Sequence, residues 1–269
     1  MVAFPPCKLN LGLHIIQKRT DGYHEIETCF YPVPWTDILE IIPAKEFSFG
    51  SSGNVIPGSV DDNLCLRAYT LLKKDFDLGP VSMHLHKIIP TGAGLGGGSS
   101  DAAYTLRLIN SIFQLNLSRE KLMHYAALLG SDCAFFVQDK PMIGHGRGEL
   151  LSEVSVDLSG KFLVLVKPAI HVSTAEAYSG VTPRHREFSL GEILERSHFT
   201  EWRRLLKNDF EDSVFAQYPV IQELKNLMYD LGAVYASMSG SGSTVFGIFE
   251  KACDLKNKFK NAVYWSGKL

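Results

Sequence analysis

Pro90-Thr91-Gly92-Ala93-Gly94-Leu95-Gly96-Gly97-Gly98-Ser99-Ser100-Asp101-Ala102-Ala103 is the stretch on which the reading of this 269-residue chain turns. Ahead of it, Val81, Met83 and Leu85 alternate with polar neighbours up to Lys87, the period of a strand. Behind it, apolar residues recur at helical spacing from Asp101 to Leu115. The order is strand, glycine loop, helix. Glycines let backbone N–H groups approach a phosphate chain, and a helix start offers unpaired N–H donors and the positive end of its dipole. Ser99 and Ser100 add hydroxyls at that terminus, and a branched side chain at Gly97 is expected to occupy phosphate space. A bare Gly-x-Gly is ordinarily a tight connector with no ligand, but five glycines in seven residues at a helix start favour a phosphate site.

Flanking residues narrow the design. A Walker A loop ends in Gly-Lys-Ser/Thr, and no lysine follows these glycines. Gly92-x-Gly94-x-x-Gly97 matches the dinucleotide fingerprint, but the element after the helix should then be a strand ending in an acidic residue, whereas Arg119–Leu129 has helical periodicity. A nicotinamide-dependent oxidoreductase is therefore the runner-up. The His-Arg-Asp and Asp-Phe-Gly signatures of protein kinases are absent.

Outward from the loop, Lys8 to Ile16 alternates, with Leu9, Leu11, Leu13 and Ile15 on one face and Lys8, Asn10, Gly12 and His14 on a polar working face. Ile26–Val33 and Asp37–Ile42 read as strands, Phe47 to Asp62 as a Ser/Gly-rich loop, and Asn63–Phe76 as a helix. The helix Arg119–Leu129 stops at Gly130, a residue suited to a left-handed helix end. A composition shift at Glu153–Gly160 marks a boundary, giving domains 1–155 and 156–269. Beyond it come strands at Phe162–Val166, Val234–Met238, Val245–Phe249 and Val263–Trp265, with helices around Leu205–Leu231 and Lys251–Lys260. That order predicts an antiparallel sheet backed by helices on one side, and an α+β class overall.

Composition sets the outer limits. Apolar residues make up 45% and charged residues 21%, and 27 basic against 29 acidic residues are well mixed, which gives no footprint for nucleic acid or an anionic membrane. Partners are expected to be small molecules. Five scattered cysteines with no C-x-x-C spacing suggest neither a disulfide framework nor a zinc site, but a reducing compartment. With no signal-peptide pattern at Met1–Pro6 and no membrane-length apolar run, a cytoplasmic protein is expected, as monomer or homodimer.

Pro90-x3-Gly94-Leu95-x-Gly97-Gly98-Ser99-Ser100 resembles the nucleotide loop of the galactokinase, homoserine kinase, mevalonate kinase and phosphomevalonate kinase (GHMP) superfamily. Lys8-Leu9-Asn10-Leu11 and Arg19-Thr20-Asp21-Gly22-Tyr23-His24 resemble, within it, the diphosphocytidyl-methylerythritol kinases. Further matches follow at Asp62-Asn63-Leu64, Gly130-Ser131-Asp132, Gly146-x-Gly148-Glu149 and Ser239-Gly240-Ser241-Gly242-Ser243-Thr244, so the likeness spans nearly the whole chain. Cys7, Gly12 and Cys133-Ala134 depart from the usual small residue, aromatic and Val/Ile-Pro, removing no charged or hydrogen-bonding group. The resemblance implies a ribosomal protein S5 domain 2-like N-terminal domain and a ferredoxin-like C-terminal domain with a cleft between them. It also implies ATP-dependent phosphorylation of the 2-hydroxyl of 4-diphosphocytidyl-2-C-methyl-D-erythritol, a step of the non-mevalonate route to isoprenoids.

The resemblance also implies roles. Asp132 would take the acceptor proton and Lys8 would steady the carboxylate and that oxygen; by local pattern alone they read as a helix cap and a solvated strand lysine. Residues 90–100, namely Pro90, Thr91, Gly92, Ala93, Gly94, Leu95, Gly96, Gly97, Gly98, Ser99 and Ser100, would hold the ATP phosphates, with Asn63 and Lys87 near the adenosine. Asn10, Tyr23, His24, Tyr178 and the turn Ser239, Gly240, Ser241 and Gly242 would bind the acceptor. Tyr23 and Tyr178 are expected to sandwich the cytosine, although Tyr178 on a short amphipathic helix also reads as core. Mg²⁺ would arrive with ATP, with Ser100 the candidate to touch it. A catalytically silent nucleotide-binding homologue is the third reading, against which the retention of Lys8 and Asp132 argues.

Overall fold

The computed structural model describes residues 1–269. The first half runs β1 (Val2–Ala3), β2 (Pro6–Lys18), β3 (His24–Thr36), β4 (Ile38–Pro43), β5 (Ser48–Gly53), α1 (Leu64–Asp75), β6 (Val81–Lys87), α2 (Gly97–Ile112), α3 (Arg119–Leu129), α4 (Phe135–Gln138), β7 (Met142–His145) and β8 (Leu150–Glu153). The second runs β9 (Phe162–Pro168), α5 (Thr174–Ser179), α6 (Leu190–Arg196), α7 (Trp202–Leu205), α8 (Glu211–Gln217), α9 (Pro219–Asp230), β10 (Tyr235–Met238), β11 (Val245–Phe249) and β12 (Ala262–Lys268). No helix is long and apolar enough to cross a membrane.

Residues pack into two compact units. One comprises Met1–Lys8, Trp35–Thr91 and Gly96–Lys140; the other comprises Leu9–Pro34, Gly92–Leu95 and Pro141–Leu269. Compactness thus interleaves the chain, where the sequence suggests one cut at 155/156, because β2 and β3 are long strands whose residues are shared out. In the first unit a sheet of order β1-β4-β6-β5 is antiparallel except for the parallel β5–β6 pair, and α1, α2 and α3 pack on one another. The second unit holds a sheet of order β2-β3-β7-β8 and the antiparallel sheet β10-β11-β9-β12, on which α9 packs. Val164, Val166, Ala236, Met238 and Val245 from that sheet, with Ile221 and Met228 from α9, form part of its core.

Several local expectations need correction. Ser48–Gly53 is a strand, not loop: its Ser/Gly composition has little β preference, and the ladder to β6 supplies the pairing. β7 and β8 carry too little pattern to be read, being four residues each. The helix expected at Lys251–Lys260 is only a 3₁₀ turn at Lys256–Lys258, where Asp254 accepts from Lys256 N (3.1 Å) and the Tyr264 hydroxyl accepts from Leu255 N (3.1 Å), so side chains outcompete the helical pattern. The region 205–231 is two helices separated at Tyr218, with Pro219 opening α9. Gly130 closes α3 in extended backbone (φ 175°) rather than the left-handed form.

Candidate active site

Three glycines of the loop adopt positive φ in alternation: Gly92 (60°), Gly94 (76°) and Gly96 (68°). Gly96 is the N-cap of α2, which begins at Gly97, four residues before the apolar pattern does. The first bond of the helix runs from Ser100 N to the Gly96 carbonyl (2.9 Å), leaving the earlier N–H groups for a ligand. Gly98 is exposed there, Pro90, Thr91 and Ser99 are half-buried, and Ala93 and Leu95 are buried. Gly97 faces inward. A Cβ there would lie 2.9 Å from Lys87 Nζ and 3.0 Å from Ile89 Cγ2, so its smallness serves the layer beneath the loop.

Lys8 is not a solvated strand lysine. It is 3% exposed, and its Nζ lies 3.4 Å from Asp132 Oδ2, while the Asp132 side chain keeps 31% of its surface. Asp132 does not cap α4, whose N-cap is Ala134 with no side-chain bond. An ideal Cβ on Gly96 would meet Lys8 Cγ and Cε at 3.1 Å, so the lysine stem runs directly under the last left-handed glycine. The polar residues Lys8, Asn10 and His14 of β2 are buried: Asn10 Nδ2 donates to Thr28 Oγ1 (2.8 Å), and His14 Nδ1, which has no hydrogen-bond partner, stands 3.8 Å from Glu27 Oε2.

Lys87, expected near adenosine and ordinarily exposed at such a place, is 2% exposed. Its ammonium donates to Asp37 Oδ2 and to Asp101 Oδ2 (2.7 Å). Burial works against the charge of Lys87, but Asp101 and then Asp37 outweigh it and raise its pKa. Burial first, opposed by Lys87 and aided by Asp37, pushes the Asp101 carboxyl up to about 7 from 3.8. Its Oδ1 is buried without a hydrogen-bond partner. Between those two values the native chain holds a proton that the unfolded chain has released, so Asp101 contributes a stability that falls as pH rises through this window. Asp101→Asn cannot titrate, and its melting temperature relative to wild type should climb from pH 4 to 7 and level off above; thermal melts across that range check it. Neither Asp37 nor Asp101 is signalled by the sequence as a site residue, since each acts through a lysine distant along the chain.

In the second unit the two glycine-rich turns meet. Ser239 Oγ donates to the Gly94 carbonyl (2.9 Å), and a Cβ on Gly94 would overlap the Ser239 carbonyl oxygen, so only glycine fits. Ser239 Oγ also lies 3.5 Å from Asn10 Oδ1, and Gly242 N closes the turn on the Ser239 carbonyl (3.0 Å). Ser239, Gly240 and Gly242 are buried and Ser241 half-buried. Asn208, which no sequence pattern marks, donates from Nδ2 to the Met238 and Gly240 carbonyls (2.8 Å each) and holds the turn in shape.

The two tyrosines expected at the cytosine have different surroundings. Tyr178 stacks on His24 (ring centroids 4.8 Å, interplanar 17°) and meets Phe210 edge-on (4.8 Å). His24, half-buried, has its pKa lowered by burial and by Lys18. Tyr23 is 56% exposed at the tip of the β2–β3 hairpin, where Gly22 has φ 87° and Tyr23 N donates to Asp21 Oδ1 (3.1 Å). The Arg147 guanidinium sits 4.9 Å from the Tyr23 ring centroid. Elsewhere, Asn63 is the N-cap of α1, accepting from Cys65 N (2.9 Å). Ser100 is fully buried with an unpartnered Oγ.

The chain matches the description "GHMP kinases N terminal domain" over residues 63–140 and "GHMP kinases C terminal" over residues 189–264. It is 56% identical over 250 residues to a Cytophaga hutchinsonii protein named 4-diphosphocytidyl-2-C-methyl-D-erythritol kinase, covering 93% of this chain and 92% of that one. A Bacteroides thetaiotaomicron protein of the same name is 52% identical over 254 residues, with 93% and 92% covered. A solved structure described as 4-(cytidine 5'-diphospho)-2C-methyl-D-erythritol kinase superposes with a TM-score of 0.83 at 30% identity, covering 99% and 98%. Methanococcus jannaschii mevalonate kinase has the same fold, with a TM-score of 0.73 at 13% identity over 99% and 97% of the two chains.

Proposed function

We propose, since this chain belongs to the 4-diphosphocytidyl-2-C-methyl-D-erythritol kinases of the GHMP family, that it transfers the ATP γ-phosphate to the 2-hydroxyl of that acceptor. The observation that carries the mechanism is the Lys8–Asp132 pair lying under Gly96 of the glycine run. The N–H groups at the start of α2 hold the phosphates, Asp132 accepts the acceptor proton, and the Lys8 ammonium offsets negative charge developing on the acceptor oxygen. In-line transfer needs little covalent chemistry from the protein, so placement of these groups supplies most of the catalysis.

Mg²⁺ would neutralise phosphate charge when it enters with ATP. The orphaned Ser100 Oγ is the protein oxygen that would meet it. On the acceptor side, the exposed Tyr23 ring, backed by Arg147, gives the cytosine a stacking face, and His24 gives its edge a hydrogen-bond partner. Tyr178 supports His24 from behind.

A coupled ADP-release assay tests this reading by comparing 4-diphosphocytidyl-2-C-methyl-D-erythritol with homoserine, galactose and mevalonate. Turnover should be confined to the first, and Tyr23→Ala should weaken its binding by ~1–3 kcal/mol with a smaller effect on ATP. Equal turnover of another acceptor would move the chain to a different GHMP activity.

A further inference from the structure

We propose that Asp37, Lys87 and Asp101 are positioning residues for the nucleotide, forming a buried clamp that grips both ends of the glycine run and sets where its N–H groups point. This rests on the reading of that run as the ATP phosphate site.

The clamp is visible bond by bond. Asp37 Oδ1 accepts from Ile88 N (2.6 Å) and Ile89 N (2.8 Å), the two residues just ahead of Pro90. Its Oδ2 accepts from Lys87 Nζ, which also donates to Asp101 Oδ2 (2.7 Å), one turn into α2. Asp37 N in turn donates to the Pro5 carbonyl (2.9 Å), three residues before Lys8. One aspartate therefore anchors the entry to the loop, the exit from it through Lys87, and the segment that carries the lysine proposed for catalysis.

Stability alone does not account for this arrangement. The three residues are 0%, 2% and 2% exposed, and two carboxylates share one ammonium. Buried ion pairs are often no more stabilising than apolar replacements, so their usefulness lies in fixed geometry. Gly97 gives independent support. It lacks the positive φ of Gly92, Gly94 and Gly96, so backbone conformation does not require glycine there. The Lys87 ammonium and Ile89 Cγ2, 2.9 and 3.0 Å from where its Cβ would be, leave little room for one. Gly97 thus extends the glycine run beyond what its turns need because the clamp passes beneath it.

The test compares Asp101→Asn with the double variant Lys87→Met/Asp101→Leu, measuring melting temperature, both KM values, kcat and the ADP dissociation constant. Asp101→Asn retains an oxygen for Lys87 and should keep the ATP KM within about threefold of wild type. The double variant cuts the link from Asp37 to α2, and should raise the ATP KM and ADP Kd about 10- to 100-fold while the acceptor KM stays within about threefold. A folded double variant that binds ADP like wild type, or that loses both substrates equally, overturns the proposal. If the double variant does not fold, Gly97→Ala takes its place: it leaves all three side chains and pushes a methyl against Lys87, so it must show the same selective loss of ATP, and an unchanged ATP KM there is equally decisive. Gly96→Ala separates the two levels. An unaffected ATP KM in that variant defeats the phosphate-loop reading and the clamp with it. A raised ATP KM in Gly96→Ala beside a normal double variant defeats the clamp alone.

Discussion

Asp132→Asn should lower kcat by roughly 10²–10⁴ with a modest change in the acceptor KM, because the amide keeps the shape of the carboxylate but cannot take the acceptor proton. Asp132 is the carboxylate paired with Lys8 at 3.4 Å, and the two buried aspartates nearby are committed to Lys87. Asp132→Ala should be similarly slow. Lys8→Met should also lose most turnover, and the Lys8→Met/Asp132→Asn double variant should lose far less than the product of the single losses, since the two groups act on one oxygen. Single-turnover measurements with saturating ATP check both points. Near-normal turnover in Asp132→Asn would remove the general-base role and leave alignment and electrostatics as the mechanism.

Gly96→Ala should reduce kcat/KM for ATP by about 100-fold, the scale at which a displacement of about 1 Å costs activity. Two effects combine. The backbone at φ 68° is strained for any L side chain, costing about 1–2 kcal/mol of stability. The added methyl would also press on Lys8 Cγ and Cε and on Phe136 Cε2, all 3.1 Å away. The variant should therefore lose both ATP affinity and kcat, whereas Gly98→Ala, whose nearest neighbour would be Leu64 Cδ1 at 3.8 Å, probes the exposed surface of the helix start without disturbing Lys8. Steady-state kinetics on the pair, with melting curves to show both are folded, distinguish the two contributions. A Gly96→Ala enzyme with wild-type ATP saturation would show that the loop does not hold the nucleotide.

What the sequence determined by itself is what a few neighbouring residues encode. Alternation in residues 8–16 and 81–87 specified two strands, five glycines before an apolar helix specified a left-handed turn opening that helix, and the scattered family motifs named the chemistry. Lys8 and Asp132 were identified that way, but their contact was not. Tertiary structure decided which polar groups meet: Asp37 with Lys87 across 50 positions, and Ser239 with Gly94 across 145. It also decided that Gly97 packs against Lys87 and Ile89, that Tyr178 stacks on His24, and that the Ser/Gly stretch 48–53 becomes a strand. The reason is physical. A periodic pattern or a glycine's conformational freedom is a property of local backbone geometry, whereas a buried charge or an edge strand takes its meaning from the partner that satisfies it, and that partner is chosen only when strand register and helix packing bring distant segments together.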